Sequence, residues 1–163
     1  MHRVSNLVSE RITSVPPSGI RRFFDIAATM DDVISLGIGE PDFPTPEPIV
    51  EAGIHSLRKG ETHYSSNSGL MELRRAIADH LDSLYDQTYN PASEILVTVG
   101  VSEALYLALA ATLDPGDECI VPEPCFVSYA PEVTFAGGKP VIVPTSVEND
   151  FQITAEEIAS AIT

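Results

Sequence analysis

The residues best placed to do chemistry are Gly100, Val101 and Ser102, which join a β-branched run to an apolar helix. The run 95–99 has the composition of a buried strand and stops at Gly100. Segment 104–113 is almost wholly apolar, so a helix is predicted from Ser102 that is buried nearly all round. A strand, a glycine turn and a helix start direct backbone N–H groups at an anion, and the Ser102 hydroxyl can cap the helix or bind a phosphate oxygen. The sequence therefore predicts a phosphate site at this turn.

Charge and residue usage restrict the remaining classes of function. The net charge of −15 argues against binding to nucleic acid or to an anionic membrane surface. No apolar run approaches the ~20 residues of a membrane span, and the N-terminus lacks the apolar core of a signal peptide, so a cytoplasmic location is predicted. Cys119 and Cys125 are predicted to be reduced thiols. The four histidines show no metal-ligand spacing, and no metal is assigned.

The second half of the chain alternates strands and helices, which is typical of βαβ units with a parallel sheet. Strands are predicted at 95–99, 118–121 and 139–143. Helices are predicted at 3–12, 19–30, 46–60, 69–85, 102–113 and 126–136 and from Thr154. The buried face of the helix at 69–85 is expected to hold Leu70, Leu73, Ile77, Leu81 and Leu84. The segment 37–44, rich in glycine and proline, is predicted to be irregular loop. Three strands are few for a parallel sheet, and the chain stops in helix-like sequence, so we expect the first part of a larger domain.

Four segments that occur in a fixed order carry a family resemblance. They are Gly-Ile-Gly-Glu-Pro-Asp-Phe at 37–43, Tyr64 before Gly69, Val-Gly-Val-Ser-Glu-Ala at 99–104, and Pro-Cys-Phe-Val-Ser-Tyr at 124–129. Together they resemble the class I aminotransferases, the aspartate-aminotransferase-like members of the fold-type I pyridoxal-phosphate enzymes. The resemblance implies an α/β fold: residues 37–163 would be the N-terminal half of the α/β/α large domain that binds pyridoxal 5′-phosphate, and residues 1–36 an N-terminal arm or small-domain segment.

The resemblance also implies a role for each motif. Gly100, Val101 and Ser102 would form the phosphate cup of the cofactor, in agreement with the interpretation from the residues alone. The Phe126 ring would stack on the cofactor's pyridine ring. Tyr64 would reach the cofactor phosphate of a neighbouring subunit, which implies a homodimer with shared active sites. Ile38 and Gly39 would belong to a mobile segment that closes over the substrate, with the Gly39 backbone near the substrate α-carboxylate.

Three groups that the family's chemistry needs have no counterpart in this span. They are a Schiff-base lysine, an aspartate on the pyridinium nitrogen and an arginine that holds the substrate carboxylate, which in relatives lie beyond the position where this sequence stops. Lys59 and Lys139 are the only lysines, and neither lies in a matching motif. No catalytic residue is therefore assigned within the span.

The function implied by the resemblance is transfer of an amino group between an amino acid and a 2-oxo acid, as part of a longer enzyme. A lyase or synthase on the same fold remains open, because nothing before residue 163 separates transamination from elimination. A non-catalytic product, either truncated or a ligand sensor, also remains open. Sensors of that kind usually carry a DNA-binding module, and no basic recognition helix occurs in this sequence.

Overall fold

The computed structural model describes residues 7–34, 39 and 41–163, and these divide into two units of contacting residues. The strand-containing unit comprises the described residues up to Ser18 and Val99–Thr163, and the helical unit comprises Gly19–Thr98. The division predicted between residues 36 and 37 falls on 35–38, which lie outside the described residues, and it stays a prediction.

The strand-containing unit is built around a parallel pair of strands joined by a helix. Its elements are α1 (Glu10–Thr13), α5 (Gly100–Thr112), β1 (Glu118–Glu123), α6 (Tyr129–Ala136), β2 (Lys139–Pro144), a 3-10 turn (Val147–Asn149) and α7 (Ala155–Ala161). Strand β1 pairs with β2 from Glu118 opposite Lys139 to Glu123 opposite Pro144. The prediction of βαβ connectivity with parallel strands is confirmed for this unit.

The core of this unit lies where α6 covers the two strands. Val121 of β1, Val133 of α6 and Val143 of β2 are its buried apolar side chains, and Val133 is only 2% exposed. Both α5 and α6 end at one corner, where the Gly116 N–H donates to the Gly137 carbonyl at 3.1 Å. The two helices pack against each other.

The helical unit contains α2 (Ile20–Ala27), α3 (Glu47–Arg58) and α4 (Met71–Tyr85), close to the predicted positions. The predicted buried face of α4 is partly wrong. Arg74 and Ala78 are buried and Ile77 and Leu81 half-buried, whereas Leu73 is 45% exposed. Leu70 and Leu84, also expected to be buried, are exposed as well. At 100° per residue the covered stripe is turned by roughly 60° from the line of leucines, which leaves Leu73 and Leu84 at its far edge.

The strand predicted at 95–99 does not form, so the described residues contain two strands rather than three. Residues 95–98 are neither helix nor strand, and the Val97 N–H donates instead to the Ser68 carbonyl at 3.1 Å. A β-branched composition favours a strand only where a neighbour offers a matching row of backbone groups. Segment 95–98 has the composition of a strand, but among the described residues no strand pairs with it.

Helix α5 begins two residues before its predicted start, and the prediction of burial nearly all round is wrong. Val101 is 81% exposed and Tyr106 is 42% exposed, while Leu105 and Leu109 are half-buried. The last two are four residues apart and therefore share one face of the helix. A helix that is apolar on every side is buried only when every side is covered, and α5 packs mainly on α6.

Several other boundaries differ from the predictions. In the described part of 3–12, helix is confined to α1, and a run of four residues reflects the cost of helix nucleation before Pro16 and Pro17. Helix α6 starts at Tyr129 rather than near 126. Of the predicted loop 37–44, residues 37, 38 and 40 lie outside the described residues, and 41–44 are irregular as expected. No helix of the described residues is long and apolar enough to cross a membrane.

Helix α7 begins with a reciprocal cap that should make its stability depend on pH. The Glu157 backbone N–H donates to Thr154 Oγ1 at 3.2 Å, and the Glu157 carboxylate accepts from the Thr154 backbone N–H at 2.8 Å. These bonds from Thr154, the backbone bond first, hold the pKa of Glu157 below its ordinary value. Because the folded pKa is lowered, the stabilisation is present above the ordinary pKa and is lost as pH falls through the folded one.

We therefore expect Glu157→Ala to lower the melting temperature at pH 7, and the difference from the parent protein to shrink as the pH falls below about 4. Glu156→Ala is the matched control, because it removes a carboxylate from the same first turn, and no hydrogen bond of the Glu156 side chain occurs among the described residues. Thermal unfolding followed by circular dichroism at pH 7 and pH 3 measures both variants. Equal losses for the two at pH 7 would contradict the capping role.

Candidate functional site

The predicted phosphate site lies at the start of α5 in the strand-containing unit. Gly100 is the first helical residue and has φ of +75°, in the left-handed region where a side chain is disfavoured. Glycine at this position therefore permits the backbone conformation with which α5 begins. Gly100, Val101 and Ser102 together form the first turn of α5.

The first turn of α5 presents hydrogen-bond donors that the helix itself does not use. The N–H groups of the first turn of any α-helix have no carbonyl one turn earlier, and the positive end of the helix dipole lies there. Val101 and Ser102 are both exposed. Among the described residues, no partner of the Ser102 hydroxyl is found. Backbone and hydroxyl donors are thus available to an anion at this point.

Glu103 adds a negative charge to the same end of α5. Its carboxylate accepts a hydrogen bond from the backbone N–H of Val99, the residue that caps the helix. The carboxylate therefore satisfies the donor just before the turn and leaves those of Val101 and Ser102 to other acceptors. An anion bound at Ser102 would lie near a carboxylate that is already held in place by a hydrogen bond.

Phe126 lies in the loop that follows β1, and its ring is 56% exposed. It meets the Tyr129 ring edge-on, with centroids 5.9 Å apart and planes at 71°. Phe126 and the first turn of α5 both belong to the strand-containing unit.

Cys125, next to Phe126, is not an activated nucleophile. Partial burial, and secondarily the nearby charge of Glu123, raise the pKa of the Cys125 thiol above its ordinary value. A raised pKa lowers the fraction of reactive thiolate at neutral pH. Cys119 and Cys125 are both free.

The other expected site residues belong to the helical unit. Tyr64 lies in the loop between α3 and α4, and its side chain is fully exposed. Gly39 is exposed, and a Cβ added there would meet nothing within 4 Å. Ile38 lies outside the described residues. The roles of these residues stay predictions.

Both lysines are engaged in exposed ion pairs. Lys59 follows α3 and lies 3.5 Å from a carboxylate oxygen of Glu61, and Lys139 starts β2 and lies 2.5 Å from Glu118. The hydrogen bond from Lys139 is the main cause that lowers the pKa of Glu118. Lys139 lies at the end of the strands opposite to the first turn of α5. Within the part of the chain that the structure describes, no cluster of His, Cys, Asp and Glu could hold a metal ion.

Arg74, which the sequence motifs do not indicate, is buried and only 6% exposed. Its Nη1 donates to the carbonyls of Pro91 at 2.9 Å and Ala92 at 3.3 Å, while its buried Nε has no partner among the described residues. The signal was its spacing of four residues from Ala78, which places both residues on one face of α4.

Comparison with known proteins shows which proteins this chain resembles. The sequence model of the family described as aminotransferase class I and II matches residues 31–163. An aspartate aminotransferase of Pyrococcus abyssi is 51% identical over 156 residues, which cover 96% of this chain and 40% of that protein. An aromatic-amino-acid aminotransferase of Thermococcus litoralis is 46% identical, with the same two shares.

A solved structure shows the same fold. The crystal structure of an aspartate aminotransferase from Thermotoga maritima matches with a TM-score of 0.89 and 41% sequence identity, covering 96% of this chain and 42% of that one. The α/β fold expected from the sequence is therefore confirmed as the partial fold of an aminotransferase. The chain spans about two fifths of the length of the relatives it matches.

Proposed function

Because the chain belongs to the class I and II aminotransferase family, we propose that it forms the cofactor-phosphate site of a pyridoxal 5′-phosphate-dependent aminotransferase. The observation that carries this proposal is the start of α5, where Gly100 at positive φ leads into a first turn with exposed donors. The natural polypeptide that contains this span would transfer an amino group from an amino acid to a 2-oxo acid.

The donors at the start of α5 suit a phosphate group. A phosphate monoester carries about two negative charges and accepts several hydrogen bonds. The N–H groups of Val101 and Ser102 and the Ser102 hydroxyl are donors of the required kind, and the helix dipole favours the charge. The one adverse group, the Glu103 carboxylate, is tied to the Val99 N–H. The residues present therefore fit the phosphate.

When bound, pyridoxal phosphate supplies the electron sink for cleavage of bonds at the substrate Cα. In our proposal the residues of this chain hold the cofactor and orient the substrate. Ser102 and its neighbours hold the phosphate, and the exposed Phe126 ring stacks on the pyridine. Ile38 and Gly39 close over the substrate carboxylate and exclude water. Holding the substrate in one orientation lowers the entropic cost of reaching the transition state.

The proton-transferring lysine of the proposed enzyme is neither Lys59 nor Lys139, because both are exposed and ion-paired. We propose that it is contributed by the part of the natural polypeptide that corresponds to the remaining three fifths of the relatives. The proposal also includes a homodimer with shared sites and a cytoplasmic location. It retains residues 1–36 as an arm or small-domain segment and 37–163 as part of the large domain.

A shared site makes a specific prediction for Tyr64. Tyr64→Phe is expected to weaken binding of pyridoxal phosphate about ten-fold, because one hydroxyl hydrogen bond to a charged phosphate is lost. Binding is measured by fluorescence titration of the natural polypeptide. Tyr85→Phe is the matched control, because Tyr85 is also exposed and ends α4.

Hybrid dimers test the sharing itself. In a dimer of one Tyr64→Phe subunit and one Ser102→Asp subunit, shared sites would concentrate both defects in one site and leave the other with parental affinity. Sites built within single subunits would leave no site of parental affinity, and that result would refute the shared arrangement.

The proposed activity is tested by following the amino nitrogen. The natural polypeptide is supplied with pyridoxal phosphate, an amino acid labelled at its amino nitrogen, and an unlabelled 2-oxo acid. L-Aspartate and aromatic amino acids are the first donors to try, given the names of the relatives. Transamination moves the label into a new amino acid. Label released as ammonia would identify a lyase, and cofactor binding without turnover would identify a non-catalytic protein.

A further inference from the structure

Two helices of the strand-containing unit begin with different caps. In α7 the Thr154 side chain accepts from the Glu157 N–H, and the Glu157 carboxylate accepts in return from the Thr154 N–H. In α5 the capping position is held by Val99, whose side chain has no acceptor, and no side-chain cap bond is made there. Only the return bond is present, from the Val99 N–H to the Glu103 carboxylate. The missing half is the one that would use up an N–H group of the first turn.

The return bond spans Gly100, the first residue of α5. Glycine tolerates many backbone conformations besides the one with φ of +75° that it has here. A hydrogen bond between Val99 and Glu103, the residues on its two sides, narrows that choice. The bond therefore helps to hold the turn in which Val101 and Ser102 present their donors, and it occupies neither of those donors.

The carboxylate that makes this bond also carries a charge that opposes an anion. Glu103 is exposed, and within the part of the chain that the structure describes no basic side chain forms an ion pair with it. Its negative charge repels a phosphate bound at the first turn of the same helix, and salt screens that repulsion. The hydrogen bond and the charge of one side chain thus act on phosphate binding in opposite directions.

We propose that Glu103 is a positioning residue for the phosphate-binding turn, because its bond to the Val99 N–H fixes the entry into α5 and leaves the donors of Val101 and Ser102 to the phosphate. Its contribution lies in the acceptor oxygen and not in the charge. Glu103 does not touch the cofactor. This inference rests on the proposed function.

The test compares the affinities of pyridoxal 5′-phosphate and pyridoxal for the natural polypeptide, because their ratio isolates the contribution of the phosphate. Glu103→Gln is expected to raise this ratio about five-fold at low ionic strength, because the charge is lost while an acceptor oxygen remains. Glu103→Ala loses both the charge and the bond, and its ratio should lie about ten-fold below that of Glu103→Gln.

Asp114→Asn is the matched control for the loss of charge. Asp114 is exposed and follows the far end of α5, about 20 Å from the first turn of this 13-residue helix. Removing its charge should leave the ratio at the parental value, because salt screens charges over such a distance.

Amide exchange in the protein without cofactor reports on the hydrogen bond itself. The Val99 N–H should exchange faster in Glu103→Ala than in the parent protein and should stay protected in Glu103→Gln. Unchanged exchange of Val99 in Glu103→Ala would overturn the proposal, because the bond would then hold nothing in place.

The ratios decide the role in phosphate binding. Equal ratios in Glu103→Ala and Glu103→Gln would overturn the positioning role, since the charge alone would then matter. A ratio below the parental value in Glu103→Gln would overturn it too, since the charge itself would then support binding. A parent protein that does not prefer pyridoxal 5′-phosphate to pyridoxal would instead refute the proposed function, whatever the exchange of Val99 shows.

Discussion

Replacing Ser102 with aspartate is expected to weaken the binding of pyridoxal 5′-phosphate by about 100-fold. The substitution removes a hydroxyl donor from the first turn of α5 and places a carboxylate where the phosphate is expected. Two unit charges ~5 Å apart at an effective dielectric constant of ~20 repel by about 3 kcal/mol, which is roughly 100-fold in affinity. Glu103 already contributes one negative charge to this end of the helix, so a second cannot be offset locally.

The matched control for this prediction is Ser102→Asn, which has nearly the size of aspartate but no charge. It should weaken binding by no more than about ten-fold, the cost of one imperfect hydrogen bond. Both variants are measured by fluorescence titration at low ionic strength. Aspartate and asparagine variants of equal affinity would place the phosphate elsewhere.

Replacing Gly69 with alanine is expected to lower the free energy of unfolding by about 3 kcal/mol. Gly69 has φ of +92°, which costs an L-residue about 1 kcal/mol, and the new Cβ would lie 2.7 Å from both Cβ and Cγ2 of Val97. Relieving such an overlap typically costs a further 1–3 kcal/mol. The position of the Val97 Cβ is fixed by the backbone, so a change of the Val97 side-chain rotamer cannot remove the clash.

Gly60→Ala is the control that separates backbone strain from crowding. Gly60 also has a positive φ, +78°, but a Cβ there would meet nothing within 4 Å. Gly60→Ala should therefore lower the free energy of unfolding by only about 1 kcal/mol. Urea unfolding followed by circular dichroism measures both. Equal losses would mean that the loop before α4 moves freely away from segment 95–98.

The elements that the sequence predicted well are those determined by short-range chemistry. Thr154 is the N-cap of α7, and Gly100 is the residue at which α5 begins. The two paired strands were foreseen because turn residues bound them on both sides and a helix of suitable length connects them. Each of these signals acts within a few residues, where sequence and structure are directly linked.

The predictions that failed concern surroundings that a short pattern does not contain. Segment 95–99 has the composition of a strand, but pairing depends on a neighbour. Helix α5 has the composition of a buried helix, but its cover has to come from elsewhere. Arg74 was overlooked because the leucines of α4 suggest a face turned away from it, and its partners are carbonyls 17 and 18 residues along the chain. The residues of the candidate site were named from motifs, and their roles stay predictions.

A crystal structure of the natural polypeptide grown with pyridoxal 5′-phosphate tests the central proposal most directly. We expect phosphate oxygens within hydrogen-bond distance, about 3 Å, of the backbone N–H groups of Val101 and Ser102 and of the Ser102 hydroxyl. We also expect the pyridine ring to lie against Phe126. A phosphate bound away from the first turn of α5, with Ser102 free of it, would contradict the assignment.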